Sequence, residues 1–120
     1  MMAQPFAESV LVVEDEAIIA MMNKAWLTRM GFSDIRIESD LGSAMSSLAT
    51  GAFGLALVDM NLGGESSVPL IDALRDNGIP TLLATGYSEH ELEDGAQGVP
   101  CIQKPLSFGL LRKAVSNLLD

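Results

Sequence analysis

A chain of 120 residues with 48% hydrophobic and 19% charged residues has the size and composition of one compact domain, which excludes disorder. Sixteen Asp and Glu against seven Lys and Arg give a net charge of −9, a field that opposes phosphate backbones and anionic lipid. The expectation is a single domain over residues 1–120, with its core from about 9 to 119, that binds neither nucleic acid nor membrane.

Cys101 is the one cysteine, so no intrachain disulfide can form and a reducing compartment is expected. Met1 to Glu8 lacks the basic stretch and apolar run of a signal peptide. The run Ala17–Met22 is too short to span a bilayer. These features predict a cytoplasmic protein.

In chain order, Val10-Leu11-Val12-Val13 is a short apolar run that predicts a strand. A helical pattern follows from Glu16 to Met30, with Gly31 as its stop and Ile18, Ile19, Met22, Ala25, Trp26 and Met30 as its inner side. Ile35 and Ile37 alternate with Asp34, Arg36 and Glu38, the period-2 pattern of a half-exposed strand. Asp40 caps a second helix that ends at Gly51 and faces inward with Leu41, Ala44, Met45 and Leu48. Leu55–Val58 is a third strand, and Ser67 and Pro69 open a third helix that Gly78 stops. Thr81–Ala84 is a fourth strand, and Ser88–Asp94 is at best a short acidic helix. Val99–Gln103 is a fifth strand, before a last helix that buries Leu110, Leu111, Ala114, Val115 and Leu118.

Five strands alternating with helices mean a parallel sheet covered on both faces. The first, third and fourth strands are continuously apolar, as buried central strands must be. The second alternates and the fifth carries Pro100, so both belong at the edges. The predicted fold is α/β, a flavodoxin-like doubly wound sheet of strand order 2-1-3-4-5. Its crevice lies at the carboxyl ends of the strands.

Those ends carry the chemistry. Glu14-Asp15 follow the first strand, Asp59 the third, Thr85 the fourth and Lys104-Pro105 the fifth. Two carboxylates ~4 Å apart repel by roughly 4 kcal/mol at an effective dielectric of ~20. One lysine does not offset three of them, so the cluster either raises a carboxylate pKa or binds a hard cation. Oxygen-only ligands, with Asn61 offering a further carbonyl, suit Mg²⁺. Lys104 and the Thr85 hydroxyl would face the same point as a cradle for phosphoryl oxygens.

Val10-Leu11-Val12-Val13-Glu14-Asp15-Glu16, Leu57-Val58-Asp59-Met60-Asn61, Ala84-Thr85-Gly86 and Gln103-Lys104-Pro105 together resemble the four motifs of the response-regulator receiver domain. The resemblance spans about Ser9 to Leu119. It implies that Asp59 accepts a phosphoryl group from a histidine kinase or histidine phosphotransfer protein. It further implies that Asp15, Asp59 and the Asn61 backbone carbonyl ligate Mg²⁺, with Glu14 supporting through water. Thr85 would move onto the phosphoryl group, Lys104 would pair with its oxygens, and the Lys104–Pro105 bond would often be cis, a state accessible mainly before proline. The output would be contact with another protein, whose identity the residues do not specify.

Three features depart from the common pattern. The loop after Asp59 reads Leu62-Gly63-Gly64-Glu65-Ser66-Ser67, without the usual Pro and Gly. The switch position three residues before the lysine is Cys101 rather than Tyr or Phe. The segment between Thr85 and Lys104 is short and holds Gly86-Tyr87, so a fourth helix there is expected to be a single turn or partly frayed, and Ala84-Thr85-Gly86-Tyr87 resembles a variant class of receivers with a Thr-Gly-aromatic sequence. The switch is therefore expected in Thr85, Gly86 and Tyr87 rather than at Cys101. Tyr87 either covers the crevice or simply packs.

Outside the site, plain readings suffice. His90 is an exposed helix residue, Cys101 a small core residue, and Trp26 and the Met21-Met22 pair are packing residues. Glu89, Glu91, Glu93 and Asp94 form a solvated acidic face. The rival reading is a Mg²⁺-dependent phosphohydrolase with Asp59 as nucleophile. Such enzymes want a second acid two residues later, where this chain has Asn61. A module that binds without ever taking up phosphate is the third reading. The expectation is thus a stand-alone regulatory phosphoacceptor rather than an enzyme.

Overall fold

The computed structural model describes residues 9–86, 98–104 and 106–119. Its main sheet is parallel, with strands β1 (Ser9–Val13), β2 (Asp34–Glu38), β3 (Leu55–Asp59), β6 (Thr81–Thr85) and β7 (Cys101–Gln103). Their order is β2-β1-β3-β6-β7, which is the predicted 2-1-3-4-5. Helices α1 (Ala17–Arg29), α2 (Leu41–Thr50), α3 (Val68–Asp76) and α4 (Phe108–Leu119) cover it. Strands β4 (Asn61–Leu62) and β5 (Glu65–Ser66) form a small separate hairpin. The predicted acidic helix, with His90 and Tyr87, lies outside the described residues. No helix among the described residues is long and apolar enough to cross a membrane.

Period-2 alternation divides the strands between two cores. Leu11, Val13, Ala56, Val58 and Leu83 face α2 and α3. Val10, Val12, Leu55, Leu57 and Leu82 face Leu27 of α1 and Leu111 and Val115 of α4. The central strands β3 and β6 are buried at every position, whereas β2 and β7 expose alternate residues, as their edge positions require. Pro100 stands just outside β7, where it loses no ladder donor; its carbonyl accepts from Leu83 N–H at 2.9 Å.

The helix ends follow the sequence signals in part. Asp40 caps α2, its carboxylate accepting from Ser43 N–H at 2.7 Å. Gly78 follows α3 with φ 68°, the left-handed stop that glycine permits. Ser67 stands at the α3 N-cap but caps nothing with its side chain.

Three inner faces need correction. On α1 the buried residues are Ala20, Asn23 and Leu27, while Ile18 is 81% and Met21 68% exposed, with Met22 and Ala25 also facing solvent. Ile19, Trp26 and Met30 are half-buried, so the face is rotated from the predicted one. Apolar residues surround this helix, and no single stripe marks its inner side. On α2, Ser47 takes the inward place expected of Met45, because its hydroxyl donates to Glu38 of the neighbouring strand. On α4, Leu110 is 54% exposed beside buried Leu111. Cys101 is half-buried and packs on the α2–α3 core, as expected of a small core residue.

Candidate functional site

Each strand that enters the crevice delivers one element of the site. Glu14 continues the β1 ladder beyond Val13, its N–H donating to the Glu38 carbonyl at 3.0 Å, and this turns its side chain into the interior. Glu14 is 2% exposed, while Asp15 next to it points to solvent. Asp59 ends β3 and is buried; Thr85 ends β6 and is buried. Lys104 follows β7, held beside Thr85 by its N–H donating to the Thr85 carbonyl at 2.7 Å.

These residues meet. Lys104 Nζ lies 3.0 Å from Asp59 Oδ2 and 3.6 Å from Glu14 Oε1. Carboxylate oxygens of Glu14, Asp15 and Asp59 all lie within 4.8 Å of one another. Asp15, Glu16, Asp59, Gly63, Gly64, Gly86 and Lys104 line an open cleft of about 460 Å³ above them. The sequence thus placed Glu14, Asp15, Asp59, Thr85, Gly86 and Lys104 at one end of the sheet, where the fold has them. Asn61 begins β4, two residues beyond Asp59. Cys101 lies three residues before Lys104, paired with Leu83 in the ladder.

Electrostatics follow from burial. Desolvation pushes the Glu14 carboxyl up to about 7; the Glu16 N–H, 3.2 Å from Glu14 Oε2, opposes this, and the Asp59 carboxylate reinforces it. Burial depresses Lys104, but its hydrogen bond to Asp59 and the charges of Asp59 and Glu14 outweigh that, and its pKa rises. One ammonium thus faces Glu14 and Asp59, with the Asp15 carboxylate gathered beside them. Converging oxygen donors of this kind fit a hard divalent cation such as Mg²⁺, and among the described residues the cluster holds carboxylates alone.

Two features of the site escaped the sequence reading. The first is the β4–β5 hairpin, in which Asn61 pairs with Ser66 and Leu62 with Glu65. Its loop is Gly63-Gly64, with φ of 60° and 92°, the two positive values a type I′ turn requires. Gly-Gly between two short segments was the available signal. The hairpin borders the cleft: a Cβ on Gly63 would stand 3.8 Å from Asp15 Oδ2. The second is Ser67, fully buried, whose hydroxyl reaches back to the Asp59 carbonyl at 2.5 Å and the Met60 carbonyl at 2.9 Å. Nothing in the local sequence distinguishes it from an ordinary helix cap.

Comparison with known proteins agrees with this geometry. A family model described as the response regulator receiver domain matches residues 10–116. The solution structure of SdrG from Sphingomonas melonis Fr1 superposes with a TM-score of 0.82 at 32% identity, covering 99% of this chain and 100% of that one. The receiver-domain structure of Erythrobacter litoralis PhyR gives 0.83 at 26% identity, with 94% and 90% covered. The response regulator PhyR from Brucella abortus gives 0.82 at 25% identity over 94% of this chain, which spans only 48% of that protein. No curated protein sequence matches the chain.

Proposed function

The chain belongs to the response-regulator receiver family, and on that premise we propose that Asp59 is its phosphoacceptor, loaded from a phosphohistidine on a histidine kinase or histidine phosphotransfer protein. The observation that carries this reading is the ion pair of Lys104 with Asp59 inside a cleft that also gathers Glu14 and Asp15. An Asp59 oxygen attacks phosphorus, the O–P bond forms, and the N–P bond of the donor histidine breaks. Lys104 then pairs with phosphoryl oxygens, and the Thr85 hydroxyl offers a second donor from the adjacent strand end. Asp15, Asp59 and the Asn61 carbonyl would hold Mg²⁺, with Glu14 behind them. When bound, the ion supplies the positive charge that three carboxylates and a phosphoryl group require.

The role is regulatory: the domain is phosphorylated and signals by contact with a protein partner. Action in the cytoplasm, without nucleic acid or membrane, belongs to the same proposal. The reducing environment suggested by one cysteine and the net charge of −9 support it. The test is incubation with a small-molecule phosphodonor, with and without Mg²⁺, followed by intact mass. Labelling that needs both Mg²⁺ and Asp59 supports the reading. Labelling of Asp59→Asn overturns the acceptor, and equal labelling in EDTA overturns the metal.

A further inference from the structure

We propose that Ser67 is a positioning residue for the phosphoacceptor site, acting through the backbone on which Asp59 and Asn61 sit. The inference rests on the reading of Asp59 as acceptor.

Strand β3 ends at Asp59, and the chain must turn at once into the β4–β5 hairpin. The peptide units in between set the positions of two groups: the Asp59 carboxylate, which lines the cleft, and the Asn61 carbonyl, a proposed Mg²⁺ ligand. The sheet holds this stretch from one side, where Met60 N–H donates to the Ala84 carbonyl at 2.9 Å. Ser67 holds it from the other. Its hydroxyl carries one proton and lies within reach of both the Asp59 and Met60 carbonyls, so it bridges two consecutive peptide units.

The anchor itself is rigid. Ser67 opens α3, its carbonyl accepting from Ile71 N–H at 2.9 Å, and its side chain has no exposed surface. Ser66 takes over the local capping contact instead, its hydroxyl accepting from Val68 N–H at 3.1 Å. The Ser67 hydroxyl is thus spent on the acceptor strand rather than on its own helix. A buried hydroxyl within reach of the carbonyls of the reacting residue and of the residue after it fixes geometry that metal ligation and in-line attack both need.

The experiment compares Ser67→Ala, Ser67→Gly and Ser67→Thr with the parent protein. Readouts are Mg²⁺ affinity from amide NMR titration and the rate of labelling by a small-molecule phosphodonor at saturating Mg²⁺. Thermal unfolding identifies any variant too unstable to read, and two hydroxyl-free variants keep the test open if one fails to fold. Loss of the hydroxyl should weaken Mg²⁺ binding about 10-fold, the usual cost of removing a group that orients a ligand. Labelling should slow as well, while Ser67→Thr, which keeps the hydroxyl, stays close to the parent. A folded hydroxyl-free variant with the parent's Mg²⁺ affinity and labelling rate overturns the proposal. So does a folded Ser67→Thr as weak as Ser67→Ala. Failure of the parent itself to bind Mg²⁺ or take label overturns instead the acceptor reading beneath it.

Discussion

Lys104 Nζ reaches Asp59 Oδ2 at 3.0 Å across the end of β6, the strand that separates theirs. The contact ties the edge of the sheet to its centre and sets one cation against a buried pair of acids. Replacing Lys104 with Ala should lower the stability of the metal-free protein by about 1 kcal/mol, because Glu14 and Asp59 then face each other uncompensated. Mg²⁺ affinity should stay the same or rise. The variant should also lose the amide NMR shifts that phosphorylation produces in the parent; parent-like shifts would show that Lys104 does not couple the acceptor to the rest of the domain.

Glu14 gives the stability a pH signature. Its carboxyl rises from 4.5 to about 7 on folding, first through desolvation. Between those values the native state holds a proton that the unfolded state has released, so stability falls as pH rises through this window, by at most about 1.4 kcal/mol per unit. Below the window the penalty is absent, and above it the penalty is fully present. The raised pKa of Lys104 acts only in the alkaline range, where its stabilisation is lost as pH climbs through the folded value. Urea melts from pH 4.5 to 8 should show the Glu14 slope in the parent and a flatter profile in Glu14→Gln. Equal slopes would place the titration elsewhere.

The exposed side of α1 should be separable from the core. Ile18→Ser and Met21→Ser, at positions 81% and 68% exposed, should change stability by no more than about 0.5 kcal/mol. Leu27→Ala, on the opposite side of the helix and fully buried, should cost about 2–5 kcal/mol. Chemical denaturation checks both, and a large loss at Ile18 or Met21 would mean that the face is covered.

The switch should run through Thr85, Gly86 and Tyr87. Thr85 ends β6 one residue beyond Ala84, the partner of Asp59, and is buried, while Cys101 is too short to fill the space that a moving Thr85 would leave. Phosphorylation should change hydrogen-exchange protection most in residues 85–98. Tyr87→Ala should weaken partner binding more than Cys101→Ala does. An unchanged 85–98 segment, or the reverse ranking, would place the switch elsewhere.

The strand order was readable because burial writes itself into composition: β1, β3 and β6 are apolar at consecutive positions, and the edge strands are not. The convergence of Glu14, Asp15, Asp59 and Lys104 was readable for a related reason, since parallel strands bring residues from distant segments to one end of the sheet. Helix faces were harder. In α1 the buried Asn23 and exposed Ile18 and Met21 invert the hydropathy rule that locates an inner face. Ser67 was invisible because its partners are backbone carbonyls eight and seven residues earlier, and any sequence provides those.

The most direct measurement is the intact mass of the protein after exposure to a small-molecule phosphodonor, for the parent and Asp59→Asn, each with Mg²⁺ and with EDTA. The arrangement of Asp59, Lys104, Glu14 and Asp15 predicts one added phosphoryl group on the parent with Mg²⁺ and none in the other three samples. Label on Asp59→Asn, or undiminished label in EDTA, would contradict a Mg²⁺-dependent acceptor at Asp59.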